Sequence, residues 1–161
     1  MPIEMLVKGL ALDPLTRSPI VILKDRDEKK VLPIWIGIFE ANAIALELEK
    51  IATPRPMTHD LILNVMAGLS AKIRKIEINE LKDSTYFANI HLDVASDIII
   101  IDARPSDAIA IALRAEAPIF VSNDVVEKTQ SFDMDFKLDS SERMKDWLES
   151  LEPEDFGKYK M

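Results

Sequence analysis

The chain has 161 residues, about one ordinary domain with room for a real core. Apolar residues make up 48% and charged residues 30%, a soluble globular balance, and the lack of cysteine excludes disulfides, thiolate metal sites and cysteine nucleophiles. The net charge of −8 argues against a broad phosphate-binding face, so any nucleic-acid contact has to be local.

No basic-then-apolar leader opens the chain, and no apolar run reaches the about 18 residues of a membrane span. A cytoplasmic protein without membrane contact is expected. In chain order, residues 3–12 read as a strand that stops at Asp13-Pro14. Residues 20–23 and 31–36 read as strands flanking a charged hairpin loop over 24–30. A helix is predicted over 38–51, with Ala41, Ile44, Ala45 and Leu48 on one face. Pro54 and Pro56 break it. Thr58 is placed to cap a second helix that buries Leu61, Ile62, Val65 and Met66. Strands follow over 72–81, 86–94 and 98–102. Pro105 suits the first turn of a helix reaching about Glu116. A short strand over 119–121 and a helical turn capped by Ser122 complete this part.

The two halves look alike. A shift of 65 lays Asn42-Ala43-Ile44-Ala45 on Asp107-Ala108-Ile109-Ala110, and a shift of 64 lays Thr58-His59-Asp60-Leu61 on Ser122-Asn123-Asp124-Val125. The fold class expected is α+β, a sheet with packed helices built by internal duplication of a β-β-β-α-α unit. One domain over 1–130 then holds two pseudo-repeats, about 1–65 and 66–130. An acidic C-terminal helix and tail over 131–161 would carry an apolar stripe of Met144, Trp147, Leu148 and Leu151.

Two stretches could carry chemistry: Arg55-Pro56-Met57-Thr58-His59-Asp60-Leu61 and Asp102-Ala103-Arg104-Pro105-Ser106-Asp107-Ala108. Each puts an arginine just before a helix start. Free N–H groups there attract anions, and a guanidinium adds a forked donor, so Arg55 and Arg104, with Ser106, are candidate phosphate contacts. Asp102 ends a strand, Asp60 and Asp107 lie in first helical turns, and Glu40 opens the first long helix. Carboxylates of this kind commonly hold the divalent ions of phosphoester cleavage, and His59 suits a ligand or an acid/base. A structural reading stands beside this one. Acids in a first turn complement the helix dipole, and the arginines could simply brace them. Asp124 matches Asp60 in the other half without a histidine or arginine beside it, and His91, among strand residues, reads as structural.

These two strings, with Ile36-Gly37-Ile38-Phe39-Glu40-Ala41, resemble in order the signature blocks of the bifunctional nuclease family, over roughly residues 3–130. The resemblance implies nuclease activity on DNA or RNA. The site inferred with it is a metal-assisted phosphodiesterase. Asp102, Asp107 and Glu40 would hold Mg²⁺ or Mn²⁺. His59 would move protons with Asp60 orienting it, and Arg55 and Arg104 would hold the phosphate. The reading from another class is a non-catalytic binding or scaffold domain, whose Arg/Asp cluster serves a small anionic ligand or a subunit interface. The apolar stripe and the sheet edges suggest a homodimer.

Overall fold

A computed structural model describes residues 1–130. Apolar-rich runs give strands first: β1 (Ile3–Leu12), β2 (Pro19–Asp25) and β3 (Val31–Trp35) form an antiparallel meander. Two helices follow, α1 (Ile38–Leu48) and α2 (Thr58–Gly68). A second meander comprises β4 (Ala71–Lys82), β5 (Thr85–Val94) and β6 (Asp97–Ala103). Next are α3 (Pro105–Ala115), the short β7 (Ile119–Val121) and α4 (Asn123–Gln130). The strands form one sheet in the order β3-β2-β1-β7-β4-β5-β6. β7 lies in its middle, antiparallel to β1 and parallel to β4, so the meanders run outward from it to the two edges. The fold is α+β, as the sequence indicates.

The turns show why the strands stop where they do. Asp83 and Ser84 both have positive φ, which matches the twist of the β4–β5 hairpin. Asp25 accepts the Lys30 amide at 2.9 Å and closes the β2–β3 loop. Gly9, at φ 155°, follows the extra residue of a bulge in β1, a conformation that side chains rarely adopt.

One core serves the whole domain. Val21, Leu32, Ile76, Ile78, Ile90 and Leu92 meet the buried faces of α1, α3 and α4 in it. A smaller cluster of Ala11, Ile20 and Ile22 lies where the strand alternation points the other way, with Val31 against it. Pro105 occupies the first turn of α3, whose Ala108–Ala112 stretch is wholly buried. Ser122 accepts the Val125 amide at the start of α4.

Several expectations change. α1 ends at Leu48, short of Ile51. Thr58 is the first residue of α2 and not its cap; Met57 precedes the helix, and its N–H donates to Asp60 at 2.9 Å. Leu61 and Val65, expected to be buried, are half exposed, because α2 instead turns Ile62, Leu63 and Met66 to the core. In element order the described residues run β1-β2-β3-α1-α2 and then β4-β5-β6-α3-β7-α4. The C-terminal helix with Met144, Trp147, Leu148 and Leu151 lies outside the described residues.

Candidate functional site

The first turns of the helices supply the cluster. Arg104 precedes α3 in extended backbone, because the residue before proline avoids the helical region. Its Nε donates to Asp107 Oδ2 at 2.9 Å and its Nη1 to Glu40 Oε1 at 2.9 Å, joining α3 to the start of α1. The other Asp107 oxygen, Oδ1, lies 2.9 Å from His59 Nε2. His59 is mostly covered, at 12% exposure, whereas the Arg104 side chain is 63% exposed. The result is a chain Glu40–Arg104–Asp107–His59 that runs inward from the exposed Arg104 to His59.

Gly37 supports it. The Glu40 carboxylate folds back over Gly37, and a Cβ there would collide with it. The glycine ahead of α1 therefore leaves space for the carboxylate to reach Arg104.

The chemistry follows from these contacts. A carboxylate only accepts, so the contact puts a hydrogen on His59 Nε2, and in the uncharged tautomer that this selects Nδ1 is the acceptor. Burial works to raise the Asp107 pKa, but Arg104 and His59 outweigh it and hold the carboxyl below its ordinary value. Asp107 and Glu40 together raise the pKa of Arg104, so the guanidinium stays charged.

Asp60, beside His59 in sequence, turns elsewhere. Its Oδ1 accepts from Arg114 Nε at 2.7 Å and its Oδ2 from the Met57 amide at 2.9 Å. Burial opposes ionisation there too, yet the Met57 N–H and the Arg114 guanidinium keep the pKa low. The carboxylate touching His59 is thus Asp107, where the sequence suggested Asp60. Arg114, only 5% exposed, also donates to the carbonyls of Ala110 at 3.0 Å and Ala43 at 2.9 Å. One buried guanidinium therefore ties α1, α2 and α3 together. Sequence reasoning missed Arg114. It is the one cation of α3 and follows the apolar run Ala108–Leu113, a pattern that marks a paired buried charge.

The structure brings His59, Asp107, Arg104 and Glu40 into one linked group. The remaining candidates stand apart. Asp102 pairs with Asn89 across β5–β6, so it shares the sheet face opposite Ala88 and Ile90 and points away from the group. Ser106 is buried. Arg55 is exposed; its carbonyl accepts from Thr53, and its side chain has no ion pair among the described residues. Among the described residues, no three of His, Asp and Glu assemble to hold a metal ion. Glu40 and Asp107 are bridged by a guanidinium where a cation would sit, so as placed the trio Asp102, Asp107 and Glu40 does not fit a divalent ion.

The chain is 35% identical over 162 residues to an uncharacterized protein of Mycobacterium tuberculosis, covering 95% of this chain and 97% of that one. It is 26% identical over 113 residues to bifunctional nuclease 1 of Oryza sativa subsp. japonica, covering 68% of this chain and 34% of the rice protein. It is 27% identical over 108 residues to bifunctional nuclease 1 of Arabidopsis thaliana, covering 65% of this chain and 33% of that protein. The chain thus spans about a third of the plant nucleases. Among the described residues no helix is long and apolar enough to cross a membrane. The bifunctional nuclease domain profile matches residues 21–133, a stretch that includes Glu40, His59, Arg104 and Asp107, and the chain belongs to the bifunctional nuclease domain family.

Proposed function

We propose that this protein is a nuclease that hydrolyses phosphodiester bonds of DNA or RNA, with His59, Asp107 and Arg104 as its working group. The observation that carries this reading is the Asp107–His59 contact within the matched family region. His59 Nδ1 takes a proton from the attacking water as the water oxygen bonds to phosphorus. The P–O bond to the leaving oxygen breaks, that oxygen takes a proton from solvent water, and the protonated His59 returns its proton to solvent, which restores the starting state. Arg104, whose side chain is exposed, supplies the guanidinium that meets a non-bridging phosphate oxygen in this reading. Glu40 and Asp107 hold its fork in position, and Arg55 is a second exposed cation for the flanking backbone. Arg114 and Asp60 position α2, and through it His59.

The expected Mg²⁺ or Mn²⁺ has no three-donor site among the described residues, so no step is assigned to an ion. The assay is incubation of the purified chain with plasmid DNA and with RNA, each with Mg²⁺, with Mn²⁺ and with chelator. Cleavage of either substrate supports the proposal, and the chelator arm reads metal dependence directly. Absence of cleavage under every condition would contradict it.

One observation favours the second reading, a binding or scaffold domain. Arg104 has two donors committed to carboxylates, and Glu40, Asp60 and Asp107 face two guanidiniums, so the group is not a strong anion trap. Lack of cleavage under every condition by a folded chain would support that reading in its scaffold form. The proposal also includes self-association as a homodimer in the cytoplasm, supported by the exposed apolar side chains of β6 and of α2.

A further inference from the structure

We propose that β6 is the surface through which two copies of this chain associate, pairing antiparallel about a two-fold axis that passes through Ile100. The inference rests on the self-association reading and gives it a place and a register.

The two edges of the sheet are built differently. β3 has five residues, with Pro33 in its middle, and proline lacks the N–H that a new strand would need. β6 has seven residues, pairs with β5 without a register shift, and carries no proline, lysine or bulge. Its outer edge therefore offers a straight row of backbone donors and acceptors.

Its side chains point the same way. Ile98, Ile99, Ile100 and Ile101 are each between 41% and 57% exposed, and successive residues face opposite sides of the sheet. Ile99 and Ile101 lie beside Leu92 and Ile90, which are buried, so the covered core ends between β5 and β6. A helix docking here would cover one face and leave the edge open. A second β6 covers the edge and places isoleucine against isoleucine on both faces, and a two-fold pair closes on itself.

Symmetry selects the register. A two-fold axis perpendicular to the sheet keeps each side chain on its own face, so paired residues must both be odd or both be even. Centring on Ile100 uses the whole strand: Ile100 meets itself, Ile99 meets Ile101, Ile98 meets Asp102 and Asp97 meets Ala103. No aspartate stands directly opposite another. Centring on Ile99 would set Asp97 against Ile101 and leave Ala103 outside the strand pair. In the chosen register, Asp97 of the partner subunit comes beside Ala103 and next to the exposed Arg104, so the interface abuts the site.

The chain contains no cysteine, so one introduced cysteine reports on the register without interference. Ile100→Cys puts the same residue on both sides of the axis, about 5 Å apart at Cα, within disulfide reach. Ile98→Cys leaves its two copies four residues out of step, about 14 Å apart and beyond reach. Mild oxidation of each variant, read by non-reducing electrophoresis and sedimentation, should link Ile100→Cys into dimers and leave Ile98→Cys unlinked. Ile100→Asp, which opposes two like charges, should weaken dimerisation at least about 100-fold while its circular dichroism stays that of the wild type. A wild type that sediments as a monomer at every concentration would overturn self-association and this surface together. An oligomer in which Ile100→Cys fails to crosslink would overturn the surface while self-association stands.

Discussion

His59 Nε2 lies 2.9 Å from Asp107 Oδ1, a contact joining residues 48 positions apart through the first turns of α2 and α3. It fixes both the ring orientation and the tautomer. Asp107→Asn keeps the shape but can present an amide N–H to the ring, which favours the opposite tautomer. The expected result is a folded protein whose cleavage rate falls at least about 100-fold. Initial-rate assays, with circular dichroism to confirm folding, check it.

The two lowered carboxyl pKa values make stability depend on acid. Asp60 and Asp107 both ionise more readily in the folded chain than their ordinary values allow. A depressed folded pKa contributes stability that is complete above the unfolded value, about 3.9, and is lost as pH falls through the folded value. Urea midpoints should therefore hold steady above about pH 5 and drop below about pH 4. Asp60→Asn, lacking one of these carboxyls, should show a shallower drop in that window. An equal slope in wild type and variant would remove Asp60 from the explanation.

Arg114→Ala strips three helices of their shared donor. It leaves Asp60 without its cation and the carbonyls of Ala43 and Ala110 without this partner. We expect a loss of about 3 kcal/mol in denaturant unfolding, the low end for a broken buried pair, since Asp60 is partly exposed. Arg74→Ala is the comparison. Arg74 pairs with Asp93 at the surface, and its loss should cost less than about 1 kcal/mol.

Gly37→Ala tests the space under Glu40. The new methyl should push the carboxylate off Arg104 with a stability change below about 1 kcal/mol, because the Arg104 half of that ion pair is exposed to solvent and the displaced atom ends a flexible side chain. In a Glu40→Ala background the same substitution should have no further effect on cleavage, since the colliding group is gone. An additive double mutant would show that Gly37 acts some other way.

Much of this was legible in the sequence. Alternation in β5 and the Pro105 helix start both read directly, because each is a local rule acting within a few residues. The orientation of Asp102 did not read: the run Ile98–Ile101 carries no alternation, and only the pairing of Asp102 with Asn89 turns it away from the group. The burial of α2 did not read, because the exposure of Leu61 and Val65 depends on where α3 lies rather than on the spacing within α2. The choice of Asp107 over Asp60 as the partner of His59 was equally hidden. Both are first-turn acids by sequence, and only the long-range position of Arg114 decides which one is drawn away.

The most direct measurement is the cleavage rate of His59→Ala against wild type, on the nucleic acid that the wild type cuts, with both preparations purified identically. If His59 moves the proton, the folded variant loses at least about 100-fold in rate while Arg74→Ala stays at the wild-type level. A folded His59→Ala that cuts as fast as wild type would contradict the assignment of the reaction to the His59–Asp107–Arg104 group.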